Sequence, residues 1–74
     1  MSVRPGIYRH YKGGLYRVLF LARHSETEEA MVVYQALYGE RGYWVCPLGH
    51  FLEKVRVGGR EVPRFELVEE AGEG

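Results

Sequence analysis

Asparagine and aspartate are absent from this chain of 74 residues, cysteine occurs once and proline three times. The lone Cys46 excludes an internal disulfide, and without a Cys-x-x-Cys pair there is no thiolate clip for zinc or redox exchange. No apolar run approaches the roughly 20 residues needed to cross a bilayer, and the opening MSVRPG lacks the apolar stretch of a secretory signal. These absences fit the cytoplasm. Net charge is zero, which argues against a protein that holds duplex nucleic acid through a broad basic field. Without Asn or Asp, left-handed turn positions fall to glycine, so glycines mark the turns: 13–14, 39 and 42, 49, and 58–59. All ten acids are Glu and Arg outnumbers Lys eight to two, a bias that resembles a thermophile or a GC-rich genome.

What is present is apolar and aromatic. A hydrophobic fraction of 46% with six Tyr, three Phe and one Trp excludes disorder for most of the length and supports one small domain. A chain this short buries only about 60% of its unfolded surface, so pairing with a second copy is expected to help stabilise it. Charge is unevenly spread: residues 1–24 hold five basic side chains and no acid, whereas 25–74 hold five basic and ten acidic ones. Basic strands pairing with acidic ones, within one fold or across a homodimer, account for that split, and an anion-binding face is the competing account.

Between the glycines the chain reads as short strands. Residues 7–11 and 15–24 form a predicted hairpin about a two-residue turn at Gly13-Gly14, with Ile7, Arg9 and Tyr11 beside Phe20, Val18 and Tyr16. Both faces of this hairpin are apolar, so something is expected to cover the second. Residues 26–38 admit two readings. Ser25-x-x-Glu28 is a capping-box pattern, and Ala30, Val33, Tyr34 and Leu37 stand at helical spacing. Val32-Val33, the tyrosines and the Gly39-Glu-Arg-Gly42 loop favour a strand after a polar loop, the reading preferred here. Pro47 ends the Trp44 strand, and Leu48, Phe51, Leu52 and Val55 fit one or two helical turns. A final hairpin runs through 55–57 and 61–68 about Gly58-Gly59, with Pro63 on an edge or at a bulge. The expected fold is all-β: about five strands in a strongly bent sheet or a partly open SH3-like barrel, with one short helical turn. Residues 1–5 are read as a flexible N-terminus, 6–68 as the domain and 69–74 as a flexible acidic tail.

The runs HYKGGLYRV (10–18), ARHSETEE (22–29), VVYQALYG (32–39), WVCPLGHF (44–51) and VPRF (62–65) resemble a family of short bacterial proteins and domains known only as a domain of unknown function. The resemblance spans residues 6–68 and implies a small β-rich domain with no catalytic residue to carry over. Cys46 stands where the family usually has arginine, and Gly49-His50 where it has Glu-Met, which puts in doubt any anion site built on that arginine.

The densest polar cluster is Arg23-His24-Ser25-Glu26-Thr27. His24 with Glu26 suits a proton-sharing pair or metal ligands in a small hydrolase or metal-dependent enzyme at a subunit interface; the simpler reading is that these groups close a turn. Three histidines without fixed spacing, and Cys46 beside any of them, are weak signals for a metal or a Cys-His dyad. Tyrosines and Trp44 interleaved with Arg9, Arg17, Arg23 and Arg41 suit stacking on single-stranded nucleic acid or an aromatic groove for a peptide, against the alternative of half-buried core tyrosines. The function expected is a non-catalytic binding module for an anionic or aromatic partner: single-stranded nucleic acid, a nucleotide or a protein segment. Its candidate residues are Arg9, Tyr11, Arg23, His24, Glu26, Tyr34 and Trp44. No cofactor or membrane partner is expected, and a structural or assembly role is the further alternative.

Overall fold

The computed structural model describes residues 3–70. Seven strands and one helical turn follow in order: β1 (Gly6–His10), β2 (Leu15–Arg23), β3 (Ala30–Ala36), β4 (Tyr43–Pro47), α1 (Leu48–Phe51), β5 (Lys54–Val57), β6 (Arg60–Pro63) and β7 (Phe65–Glu70). The fold is all-β, with two more strands than the glycine pattern suggested. They form a five-stranded antiparallel sheet of order β4-β3-β2-β1-β7 and a separate hairpin β5-β6, and neither closes into a barrel. The ambiguous segment is strand β3, in which Val32, Tyr34 and Ala36 share the inner face of the pleat, Val32 and Ala36 buried and Tyr34 half-buried between them. Residues 25–29 are the connecting loop, and the predicted helix is the single turn α1.

The first hairpin differs in register from its prediction. Arg9 pairs with Leu15, Tyr8 with Tyr16 and Gly6 with Val18, a slip of three residues. The cause is the turn: His10 N–H donates to the Gly14 carbonyl and Gly13 N–H to that of His10, both at 2.7 Å, making a three-residue loop in which only Gly13 of the two glycines has positive φ. A slip by an odd number exchanges face partners, so Tyr8 and Val18, not Ile7 and Val18, share the buried face. A bulge between Val18 and Phe20 then turns Phe20 outward to pair with Val33, and Leu21 inward beside Val32. The outer face is therefore lined by Phe20, Val33 and Val45, and Phe20 and Val45 are each 58% exposed.

The last predicted hairpin is divided between sheets. Gly58 and Gly59, both with positive φ, close β5-β6, and the chain after Pro63 leaves to pair with β1 instead. Pro63 has no N–H to continue the ladder, and Arg64 N–H donates to the Glu53 carbonyl while its own carbonyl accepts from Tyr11 N–H. β7 runs through Glu69 and Glu70, two residues past the boundary read from sequence, and the remaining tail residues 71–74, like residues 1 and 2 of the N-terminus, lie outside the described residues. At the other end, Arg4 pairs with Glu70.

α1 packs on the inner face. It brings Phe51 flat against Phe65, with ring centres 4.4 Å apart and planes 5° from parallel, and Tyr8 meets Phe51 edge-on at 5.2 Å. Each such fully buried ring contributes about 1.5–3 kcal/mol of hydrophobic stabilisation. Tyr16 and Tyr34 extend this aromatic core toward one end of the sheet.

Candidate functional site

At that end the start of β2, the end of β3 and the loop between β3 and β4 enclose a cleft of about 400 Å³, lined by Tyr16, Tyr34, Ala36, Tyr38, Gly39, Glu40, Arg41, Gly42 and Trp44. Strand pairing supplies three of its four rings: Val18 opposes Tyr34, Tyr16 opposes Ala36, and Tyr34 opposes Trp44, which places Tyr16, Tyr34 and Trp44 on one face. The fourth ring is delivered by the loop. Leu37 N–H donates to the Leu15 carbonyl at 3.0 Å, Arg41 N–H to the Tyr38 carbonyl at 3.1 Å, and Gln35 Nε2 to the Arg41 carbonyl at 3.1 Å. Tyr38 thereby folds back over Tyr16, with ring centres 5.5 Å apart at 79° and the two hydroxyls hydrogen-bonded. Gly14 leaves room for this pair, since a Cβ there would lie 3.0 Å from Tyr38 Cε1 and 3.3 Å from Tyr16 Cε1.

The rings differ in how firmly they are held. Tyr16 meets Tyr34 edge-on at 5.3 Å and both touch Phe65, so the floor of the cleft is continuous with the core. Tyr38 and Trp44 are 53% and 59% exposed and form its rim. Burial, followed by the bond to Tyr38, pushes the Tyr16 phenol up to about 12, and burial also raises that of Tyr34. Both are neutral hydroxyls at physiological pH. Arg41 occupies the loop with φ +58°, a left-handed conformation unusual for a side chain of its size. On the far side of Tyr16 and Tyr38 an adjoining hollow is lined by His10 and Lys12. Burial, then the charges of Arg64, Lys12 and His50, hold the His10 imidazole below its ordinary pKa.

Of the residues chosen from sequence, Tyr34 and Trp44 are together in this cleft. Arg9 and Tyr11 line a different one of about 310 Å³ against β5 and β6, with Arg60 and Glu66. Arg23, the last residue of β2, and His24 and Glu26 in the loop to β3 lie at the opposite end of that strand. There His24 Nδ1 accepts the N–H groups of Glu26 at 3.0 Å and Thr27 at 3.4 Å, Thr27 Oγ1 accepts from Glu29 N–H, and Arg23 Nη1 donates to the Glu28 carbonyl. The cluster closes a turn through the backbone, and His24 is oriented by main-chain donors, not by the Glu26 carboxylate. Among the described residues no group of three or more His, Cys, Asp or Glu side chains is placed to hold a metal ion. Tyr16, Tyr38 and Arg41 belonged to the broad aromatic and basic set but were not singled out. The signal that marks them is the pairing of Gly13-Gly14 with Gly39-Glu-Arg-Gly42, two loops that a β2-β3 hairpin must bring to one end.

Cys46, where the resemblance expects arginine, pairs with Val32 and points into the core. Burial raises its thiol pKa, opposed by Arg64 and by a hydrogen bond with Tyr34. No helix among the described residues is long and apolar enough to cross a membrane.

Residues 6–67 match the family model described as a protein of unknown function (DUF1653). The chain is similar to the crystal structure of a DUF1653 protein from Bordetella bronchiseptica, with 42% identity over 97% of this chain and 95% of that one and a TM-score of 0.85. No curated protein matches it. A family model that spans nearly the whole domain, together with a solved structure sharing both sequence and fold, shows that the chain belongs to the DUF1653 family.

Proposed function

We propose that this protein is a small non-catalytic binding module whose aromatic cleft takes a planar, anionic ligand, the chemistry shared by a nucleotide and by single-stranded nucleic acid. The observation that carries the reading is the convergence of Tyr16, Tyr34, Tyr38 and Trp44 with Arg41 on one open cleft. A flat heterocycle stacks on the rim rings Trp44 and Tyr38, an interaction worth about 1–3 kcal/mol per base. Arg41, with Lys12 in the adjoining hollow, meets the phosphate. Tyr16 and Tyr34 supply a rigid floor, and the bonded Tyr16–Tyr38 hydroxyl pair keeps one proton to donate to a ring nitrogen or carbonyl oxygen. The reading suits a cytoplasmic protein, where such ligands are abundant.

Trp44 is the only tryptophan, so its fluorescence reports this cleft directly. Titration with adenosine monophosphate and with a short single-stranded RNA is expected to quench Trp44 and to shift the amide resonances of Tyr38 and Arg41, with affinity that falls as salt rises and survives a chelator. If neither ligand moves Trp44 emission or those resonances, the cleft reading fails.

A further inference from the structure

We infer that the free edge of β4 pairs with β4 of a second copy of this chain, antiparallel about Val45, to make one continuous ten-stranded sheet. This inference is independent of what the cleft binds. β4 is the last strand on its side of the sheet. Ala36 N–H donates to the Gly42 carbonyl, which fixes the phase of the ladder: Gly42, Trp44 and Cys46 turn their backbone groups toward β3, and Tyr43, Val45 and Pro47 turn theirs outward. The one proline of the strand thus sits where its missing N–H costs the β3-β4 ladder nothing.

The two edges of the sheet are treated differently by the sequence. β7 carries Glu66, Glu69 and Glu70 and meets β1 through a bulge, the devices by which an edge avoids new partners. β4 is uncharged along its whole length and its register with β3 is unbroken. Those features select the occupant. A β7 edge brought to β4 would find no basic side chain to meet its acids, whereas β4 against β4 places uncharged residues against uncharged residues. A two-fold axis at Val45 lets the Val45 N–H and carbonyl of each copy bond the partner's Val45, and lets each Tyr43 N–H donate to the partner's Pro47 carbonyl. The apolar row Phe20, Val33 and Val45 then continues across the seam into its own copy. Trp44, at the rim of the cleft, comes to lie opposite the partner's Cys46, so each cleft borders the other subunit.

Sedimentation equilibrium of the full chain from micromolar to millimolar concentration is expected to show a species of twice 8.5 kDa. Val45→Pro removes the two central donors without touching the β3 ladder and is expected to weaken the dimer by at least about tenfold, as should Val45→Lys, which places like charges face to face on an exposed position. Amide exchange at Tyr43 and Val45 is expected to slow as protein concentration rises. A monomer throughout that range overturns the inference. So does a dimer that folded Val45→Pro and Val45→Lys leave intact, or one in which the Tyr43 and Val45 amides exchange at the same rate at every concentration; an extended peptide protecting those amides in a chain that stays monomeric would assign the edge to a different partner.

Discussion

The two ends of the β2-β3 hairpin show opposite uses of polar and aromatic residues. At one end, Arg23 through Glu29 is the most polar stretch of the chain, and its side chains bond neighbouring backbone groups and each other's turn. At the other, Tyr16, Tyr34, Tyr38 and Trp44 leave a ring-lined cleft open to solvent. Polar density in a sequence thus reports local turn closure here, whereas the open cleft is assembled from rings up to 28 positions apart. Each end also holds one residue other than glycine with positive φ, Glu28 at +63° and Arg41 at +58°.

The contrast can be broken most severely through the core. Phe65→Ala removes the ring on which Tyr16 and Tyr34 rest, and equilibrium urea unfolding is expected to show a loss of about 3–5 kcal/mol. Its chemical-shift changes should spread through the cleft and leave Ser25 and Thr27 unmoved. A loss below about 1 kcal/mol would mean that the cleft floor does not depend on the core.

Alkaline titration separates the ends next. The Tyr16 phenol is neutral in both states below pH 10, but above it the unfolded chain ionises first because the native group titrates at about 12. Stability present below pH 10 is therefore expected to fall as pH rises from 10 toward 12. Tyr38→Phe removes the bonded partner and is expected to lower the Tyr16 titration, read by ultraviolet tyrosinate absorbance. An unchanged titration would show that burial alone sets it.

At the polar end, His24→Ala deletes the acceptor for two exposed N–H groups that water can replace. A cost of about 0.5–1 kcal/mol is expected, with cleft resonances unchanged. A larger loss, or a perturbed cleft, would join the two ends energetically.

The smallest effects come from relieving the left-handed residues. Glu28→Gly and Arg41→Gly should each change stability by less than about 1 kcal/mol, in the stabilising direction where strain relief exceeds the added unfolded-state freedom. Only Arg41→Gly should weaken adenosine monophosphate binding as read by Trp44 fluorescence. Equal losses in both variants would remove Arg41 from the site.

Much of the fold was legible in the sequence because glycines 13, 39, 58 and 59 take left-handed turn positions, and β3, β4 and α1 fall close to where the residue pattern placed them. Glu28 and Arg41, however, take left-handed positions without being glycine, and Gly49 lies within α1 and marks no turn. Register was not. Whether Gly13-Gly14 makes a two-residue or a three-residue loop depends on which glycine adopts positive φ, and nothing local decides that. The bulge that turns Phe20 outward is likewise fixed by the fit of β2 to β3. Tyr34 and Trp44 stand out in the sequence as aromatics interleaved with arginines, and strand pairing brings the two side by side. Tyr16 and Tyr38 become partners only when two loops meet, which is a property of the topology.

The last strand to be made is the neighbour of the first. β1 lies between β2 and β7, and Gly6 pairs with Glu70. During synthesis on the ribosome, β1 to β4 can zip together as hairpins of neighbouring segments, but the other side of β1 stays open until the chain has emerged through residue 70. A nascent chain stopped before Phe65 would therefore present Ile7, Tyr8 and Arg9 as an uncovered edge beside a core lacking one of its two stacked phenylalanines. Such a fragment would be prone to pair with its neighbours on a polysome through β1, so the six-residue strand β7 decides when that edge is closed.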